Sequence, residues 1–548
     1  MHLYRFLREE SPAFTLQVVI LTCVSGVLQG FLVSVLINAA GTAAPHELNF
    51  DLFLFFAVTI AAFLWSRKYT LDQTAQVAEE VIERVRLRLA DKVRRSELVA
   101  MESQGIGRLY ASLTTDTQAI SQAAGSLVNA AASSVMVVAA LLYVLVLSPL
   151  IFFLALAFFA FVYYYFVIRR GETERKLVQA AEIEKDYFES LDDLIRGLKE
   201  LKQSDRRSAE FFEGRLTRLS EAALGVRTDV ARTLNRGLVM GQGLFFALLG
   251  AIVFIVPNLA AGEVPQIVPA TAMVVFMIGP LAEVIGSIQI LSKGSIAIHR
   301  LRELEGMLDA QMDREADVTA VPGDAFGGVA EIRCEGLTFS YPTPDGSENG
   351  FKLGPMDFTV QRGEIVFIVG GNGSGKSTFM RLLVGLYPPR EGRILVNGQP
   401  LAPQLRQNYR NLFGTIFTDF HLFDEMYGID APTPEEATAL LREMGLVEKT
   451  TIEGRRLTNR RLSTGQRKRL AMIIARLEDR PVLVFDEWAA DQDPEFREFF
   501  YTTLLPRFRA AGKTLIIVSH DDRYFHCADR CLKMEFGHFI PFPEGPAS

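Results

Sequence analysis

The stretch GGNGSGKST at 370–378 decides how this chain is read. Gly370, Gly375, Lys376 and Ser377 fill the pattern Gly-x-x-x-x-Gly-Lys-Ser/Thr. The apolar run EIVFIV at 364–369 precedes it and predicts a buried strand; a helical pattern from Thr378 to Leu386 follows. A phosphate-binding loop requires this strand–loop–helix setting. In such a loop the backbone N–H groups of Gly370, Gly371, Asn372, Gly373, Ser374 and Gly375 turn inward and cradle phosphate oxygens. Lys376 adds a point charge, the Ser377 hydroxyl is placed to hold Mg²⁺, and Thr378 opens a helix whose positive end faces the anion.

Working outward, the 548 residues exceed one domain. The mean hydropathy of +0.19 comes from long apolar stretches in the first 300 residues. A span needs about 20 apolar residues. Six stretches qualify, near 13–38, 51–67, 126–147, 150–168, 237–257 and 266–291, the third and fourth parted only by Ser148-Pro149. Residues 67–124 hold nine Lys and Arg, and 169–236 hold fifteen; 39–50, 148–149 and 257–265 hold none. The positive-inside rule then places both charged segments and both termini in the cytoplasm. Helical periodicity in Val77–Leu98 and Arg175–Leu219 predicts cytosolic extensions of the spans, turning near Gly105–Gly107 and near Gly197. The expected organisation is a membrane domain at 1–304, an acidic aperiodic linker at 305–329 and a nucleotide-binding domain at 330–548. The net charge of −7 argues against nucleic acid as a partner. Cys23, Cys334, Cys527 and Cys531 complete no zinc pattern.

Further motifs follow in the second half. FSYP at 339–342 offers Tyr341 to stack on adenine. LSTGQ at 462–466 opens a basic helix. VLVFDE at 482–487 is an apolar strand ending in two carboxylates. Asp486 suits the Mg²⁺ shell, and Glu487 suits polarising an attacking water. LIIVSH at 515–520 is another apolar strand, ending in His520, which is placed to contact the γ-phosphate.

In that order the motifs resemble the ATP-binding cassette family. Six spans ahead of one cassette resemble an ABC exporter half-transporter: a membrane α-helical domain fused to an α/β P-loop domain. The resemblance covers essentially the whole chain. DEWAADQDPEFR at 486–497, FTDFHLF at 417–423 and GIGRLYASLTTD at 105–116 are similar to the cyclic-peptide and siderophore exporters of Gram-negative bacteria, among them pyoverdine, syringomycin and microcin exporters. The resemblance implies ATP and Mg²⁺ as cofactors and a homodimer. In it, Gly370–Thr378 of one copy meets Ser463, Thr464, Gly465 and Gln466 of the other. Asp491 falls at the D-loop position, which communicates across the dimer. The signature carries Thr464 where Gly is usual. Thr418 stands where cassettes carry a metal-reaching Gln; Asp419 or a water is expected to stand in.

The resemblance further implies an ATP-hydrolysing, multi-pass protein of the bacterial inner membrane, exporting a small peptidic cargo with room for periplasmic or outer-membrane partners. A lipid or glycolipid flippase shares the layout. An ATP-gated channel or sensor is a more distant reading, and six spans exclude the soluble cassette ATPases. Glu283, the only carboxylate in 266–291, is costly against lipid and is expected on the cargo path or at a hydrated cytosolic mouth. Gly279 and Gly286 beside it are expected to allow close helix approach or bending.

Overall fold

The computed structural model describes residues 2–10, 16–41, 50–104, 109–110, 112–310, 325–341 and 351–542. The turn expected at Gly105–Gly107, Pro342 and the linker residues 311–324 lie outside these. The chain divides into two compact units, Met1–Val85 with Thr114–Arg300, and Arg86–Leu113 with Leu301–Ser548.

The first unit is all helix. After α1 (His2–Glu10) come α2 (Leu16–Gly41), α3 (Phe50–Arg95), the short α4 (Leu98–Gln104), α5 (Thr117–Leu147), α6 (Pro149–Arg196), α7 (Arg218–Gly250), α8 (Ile267–Phe276) and α9 (Ile278–Ala310). The end of α3, all of α4 and the end of α9 are counted with the second unit. Among the described residues five helical stretches are long and apolar enough to cross a membrane, and Pro149–Val162 at the start of α6 is a shorter apolar one. Their large side chains stay open: Trp65 is 65% exposed, Phe254 76% and Val268 77%. Water would not tolerate that many exposed apolar groups; lipid does. The expected hairpin between the third and fourth stretches is present. Ser148 caps α6 by accepting from the Ile151 N–H at 3.2 Å, and Pro149 occupies the first turn, where its missing N–H costs nothing.

Small residues set the helix spacing. A Cβ on Gly26 of α2 would stand 2.5 Å from the Ala132 carbonyl oxygen of α5, and one on Gly30 would stand 3.1 Å from the Ala139 Cβ. Gly294 of α9 lies as close to Ala123 of α5, where a Cβ would meet the alanine methyl at 2.3 Å. Lipid supplies no hydrophobic drive between helices, so close backbone packing of this kind holds them together. Gly279 and Gly286 play no such part within the chain, because a Cβ on either meets nothing within 4 Å. The sixth apolar stretch is broken instead at Met277, between α8 and α9. Pro280 has no N–H for the Phe276 carbonyl, and the Met277 N–H turns to Val274 at 3.1 Å.

The second unit carries two sheets. One runs in the order β2-β1-β4-β5, with β1 Glu331–Ser340, β2 Lys352–Gln361, β4 Glu391–Val396 and β5 Gln399–Pro400, all antiparallel. The other runs β12-β11-β3-β10-β9-β6. Here β3 is Ile365–Val369, β6 Phe413–Ile416, β9 Val482–Asp486, β10 Thr514–Val518, β11 Arg530–Glu535 and β12 His538–Ile540. Strands β3, β9 and β10 are buried at every residue, as parallel strands covered on both faces must be. A two-stranded hairpin, β7 (Ile452–Glu453) and β8 (Arg456–Leu457), stands apart. Helix α10 is Lys376–Leu383, starting two residues earlier and ending three earlier than the sequence pattern predicts. Gly385, at φ 75°, turns the chain out of it. Helix α11 is Pro434–Glu443, and α12 is Thr464–Leu477.

The glycine contacts give a direct check. Gly26→Ala forces a methyl against backbone, an overpacking worth about 1–3 kcal/mol, whereas Gly279→Ala meets open space. Thermal unfolding of the purified protein in detergent should show the first melting several degrees lower and the second unchanged. Equal melting temperatures would contradict the packing described.

Candidate functional site: a phosphate-binding edge of the parallel sheet

Strand register builds the site. Val518 of β10 is level with Ile368 of β3 on one side and with Asp486 of β9 on the other. The loop at Gly370, the Asp486–Glu487 pair and the Ser519–His520 turn therefore leave the sheet at one edge, side by side. Ligands of open parallel sheets bind at this carboxyl edge. Ile416 of β6 pairs with Phe485, so the chain carrying Thr418 leaves from the same edge.

The loop after β3 needs its glycines. Gly373 has φ 77° and Gly375 φ 104°, in the left-handed region that favours glycine. A Cβ on Gly370 would stand 2.3 Å from the Met534 carbonyl oxygen. Gly375 is the residue before α10, whose first residue is Lys376. The Lys376 ammonium is buried and donates to the Gly370 and Gly371 carbonyls, each at 2.9 Å. Burial draws its pKa below the usual lysine range, and the nearby Glu487 and Asp486 charges oppose that. Gly371, Asn372 and Gly373 are exposed, while Ser374 and Thr378 are buried. The Ser374 hydroxyl has no hydrogen-bond partner among the described residues.

Asp486 is 1% exposed, and neither carboxylate oxygen has a hydrogen-bond partner among the described residues. Burial pushes its carboxyl above the usual range. The Ser377 hydroxyl is near enough to favour the charged form, though it does not reach hydrogen-bonding geometry. An orphaned, buried carboxylate is costly unless a cation completes it. Among the described residues no cluster of three His, Cys, Asp or Glu side chains could hold a metal alone. Asp486 and Ser377 thus fit a hard divalent cation whose other ligands come from phosphate oxygens and water, the usual arrangement for Mg²⁺.

Glu487 follows at φ 50° and ψ 37°, a left-handed conformation unusual for a residue with a side chain. It places the carboxylate 3.0 Å from His520 Nε2. The two residues singled out as catalytic candidates therefore meet directly, both partly open to solvent. Thr418 is exposed at the sheet edge. Asp419, expected as a stand-in metal ligand, is committed elsewhere: its carboxylate accepts from Arg381 Nη2 at 2.6 Å.

Arg381 belongs to a group that the sequence reading missed. Its Nη1 donates to the Tyr387 hydroxyl at 2.9 Å and lies 3.7 Å from Glu102 of α4. The Tyr387 hydroxyl donates to Glu102 at 2.6 Å. Burial, and then the Glu102 carboxylate, hold the Tyr387 phenol above its usual range. The Tyr387 ring stacks on Phe339 at 4.9 Å and meets Tyr341 edge-on at 6.0 Å. The Tyr341 hydroxyl lies 3.0 Å from the Thr378 hydroxyl, so the aromatic predicted to meet adenine stands against the first turn of α10. Arg88–Glu305 at 2.7 Å and Lys92–Asp309 at 2.7 Å tie the end of α3 to the end of α9.

The LSTGQ motif starts α12. Ser463 and Gln466 form a capping box: the Ser463 hydroxyl accepts from the Gln466 N–H at 3.4 Å, and the Gln466 side chain accepts from the Ser463 N–H at 3.2 Å. Ser463 and Thr464 are exposed, and Gly465 sits close under the chain at Asp491. Asp491 is half open and pairs with Lys468. Glu283 belongs to α9, in the part counted with the helical unit. It is exposed and accepts from the buried Ser133 hydroxyl of α5 at 2.6 Å.

Residues 353–490 match the family described as "ABC transporter", and residues 13–196 match "ABC transporter transmembrane region". The chain is 36% identical over 355 residues to the ATP-binding protein SyrD of Pseudomonas syringae pv. syringae, a match spanning 63% of this chain and 62% of SyrD. It is 28% identical over 330 residues to the β-(1→2)glucan export ATP-binding/permease protein NdvA of Brucella abortus, covering 57% and 50%. It is 26% identical over 377 residues to the ATP-dependent lipid A-core flippase of Alkalilimnicola ehrlichii, covering 65% and 60%. Among solved structures, an ATP-bound bacterial Atm1-family ABC exporter shares its fold. The TM-score is 0.71 at 18% identity, over 98% of this chain and 95% of that one.

The unpartnered Asp486 oxygens generate a test. Asp486→Asn should weaken Mn²⁺ held together with ATP, followed by electron paramagnetic resonance, by at least the ~10-fold that losing an outer partner of a metal site costs. Binding of metal-free ATP should persist. Unchanged Mn²⁺ affinity would remove Asp486 from the cation site.

Proposed function

Because this chain belongs to the ABC transporters, with their transmembrane region and ATP-binding domain in one polypeptide, we propose that it is an ATP-driven exporter. It works as a homodimer in the bacterial inner membrane and moves a small peptidic molecule, a cyclic peptide or peptide siderophore, by alternating access. One observation carries this reading. A single chain holds a phosphate loop with carboxylates and a histidine beside it, and also an exposed, capped helix N-terminus at Ser463–Gln466. Two copies would complete two sites, each with Gly370–Thr378 from one and Ser463–Gln466 from the other.

In this reading Lys376, the loop N–H groups and the α12 N-terminus hold the triphosphate, and Tyr341 faces the adenine. Asp486 and Ser377, with Thr418 beside them, would hold Mg²⁺, which would supply charge neutralisation. Glu487 accepts the proton of the attacking water, and His520 holds that carboxylate in place and contacts the γ-phosphate. ATP draws the two cassettes together, and hydrolysis lets them part. Asp491 communicates between the two copies. The end of α3 and helix α4 belong to the ATP-binding unit, and Glu102 connects them to Arg381 and Tyr387. Both termini and the charged helix extensions lie in the cytoplasm on this reading.

The likeness to SyrD and the peptide-exporter motifs at 417–423 and 486–497 support a peptidic cargo. The likeness to a lipid A-core flippase favours a second reading, in which the cargo is a lipid or glycolipid moved between leaflets. Peptide accumulating in the lumen of inside-out vesicles supports export; lipid exchange between leaflets without it supports the flippase.

Glu487→Gln keeps the side chain's size and removes the base. ATP binding should persist while turnover falls about 10²-fold, the scale of lost general-base help. Near-normal turnover would sink the role given to Glu487. Glu283 is proposed to line the cargo path, where an anion held by Ser133 meets cationic or hydrogen-bond-donating cargo. Glu283→Gln should blunt cargo-stimulated hydrolysis and leave basal hydrolysis intact; an unchanged response to a panel of peptides would take Glu283 off the path.

A further inference from the structure

A second lysine is almost wholly buried in the described cassette, and nothing above uses it. Lys468 has 2% of its side chain exposed. It is the fifth residue of α12, two residues beyond Gln466. Its Nζ donates to the Glu487 backbone carbonyl at 2.6 Å and lies 2.7 Å from Asp491 Oδ2. Its own carbonyl accepts from Trp488 Nε1 at 2.9 Å. One residue therefore clamps the start of the LSTGQ helix to both ends of the turn that runs from Glu487 to Asp491.

The surroundings leave little freedom. A Cβ on Gly465 would stand 2.5 Å from the Asp491 carbonyl oxygen. Gln492 Nε2 donates to the Gly465 carbonyl at 3.2 Å, and Gln492 Oε1 accepts from Arg469 Nε at 2.8 Å. Arg469 also pairs with Asp493. Glu487 keeps its left-handed backbone only because neighbours over-determine it. Two of them are visible: Val518 accepts from the Glu487 N–H at 3.2 Å, and Lys468 binds its carbonyl. A buried ammonium must stay paired, so its partners cannot drift from it independently. Asp491, with 45% of its side chain exposed, is the partner with room to move.

We infer that Lys468 is a positioning residue that couples the two ATP sites of a dimer. The inference rests on the dimeric reading given above. Glu487 serves its own chain's site, whereas Ser463–Gln466 of the same chain serve the partner's. Lys468 joins the two, so engagement of the LSTGQ helix by ATP in one site sets the backbone of the hydrolytic glutamate in the other. Lys468 touches no phosphate and acts only through Glu487 and Asp491.

The test uses the full-length protein in lipid nanodiscs. Wild type should hydrolyse ATP with a Hill coefficient above one. Lys468→Met matches the length and removes the charge. It should keep affinity for a fluorescent ATP analogue, lose about tenfold or more in kcat and show a Hill coefficient of one. Lys468→Gln, a neutral donor able to reach the Glu487 carbonyl, should recover part of kcat and serves if the methionine variant does not fold. Asp491→Asn combined with either change should cost little beyond the worse single variant. Retained cooperativity in both lysine variants, strictly additive losses with Asp491→Asn, or a hydrolysing wild type without cooperativity would overturn the inference. A wild type that does not hydrolyse ATP, or that stays monomeric with ATP bound, would instead fail the dimeric ATPase reading.

Discussion

The chemistry of this protein depends on a parallel register. Ile368, Val518 and Asp486 stand level across β3, β10 and β9. Because the three strands are parallel, the chain leaves each at the same edge, and the loop at Gly370 becomes the neighbour of segments more than 100 residues later in sequence. A slip of one residue in β9 would turn Asp486 to the opposite face of the sheet and take both carboxylates out of line with the phosphate loop. The complete burial of the three strands opposes such a slip. It removes Phe367, Phe485 and Ile516 from water at once, and their side chains alternate into separate cores on the two faces.

The two units are held by different means, each suited to its solvent. In the ATP-binding unit large apolar side chains do the work: Trp488 stacks on Phe500 at 4.6 Å, and Phe339 on Tyr387 at 4.9 Å. Water rewards burying that much aromatic surface. The helical unit buries some large side chains, among them Met136, Phe245 and Met273, but leaves many others outward and packs Gly26, Gly30 and Gly294 inward against alanines and backbone. In hydrocarbon, contact distance counts for more than apolar area.

Much of this was legible in the sequence. The phosphate loop, the Asp486–Glu487 pair and His520 each end an apolar run, and apolar runs predict buried parallel strands. The Ser148-Pro149 hairpin is a local signal of the same clarity. Harder cases share one cause: the partner is distant in sequence. Nothing near Glu102 announces Tyr387 or Arg381, and nothing near Asp419 shows that its carboxylate is already taken. The close approach expected at Gly279 and Gly286 does not occur among the described residues for the same reason, although the helix does break beside Gly279. Gly279 and Gly286 have the spacing of packing glycines, but a glycine permits close approach only where another helix passes, and within this chain one passes at Gly294. The break at Met277 needed no partner, and Pro280 foretells it.

The chain has two tryptophans, and the fold has put them in contrasting places. Trp65 is 65% exposed on an apolar helix, where lipid-borne quenchers can reach it. Trp488 is 1% exposed, next to Glu487 in sequence, with its indole N–H donating to the Lys468 carbonyl of the LSTGQ helix. Once Trp65 emission is quenched from the bilayer, the remaining tryptophan emission comes from Trp488. The native sequence thus carries an optical gauge of the turn between Glu487 and Asp491, one that can be read during turnover without attaching a dye.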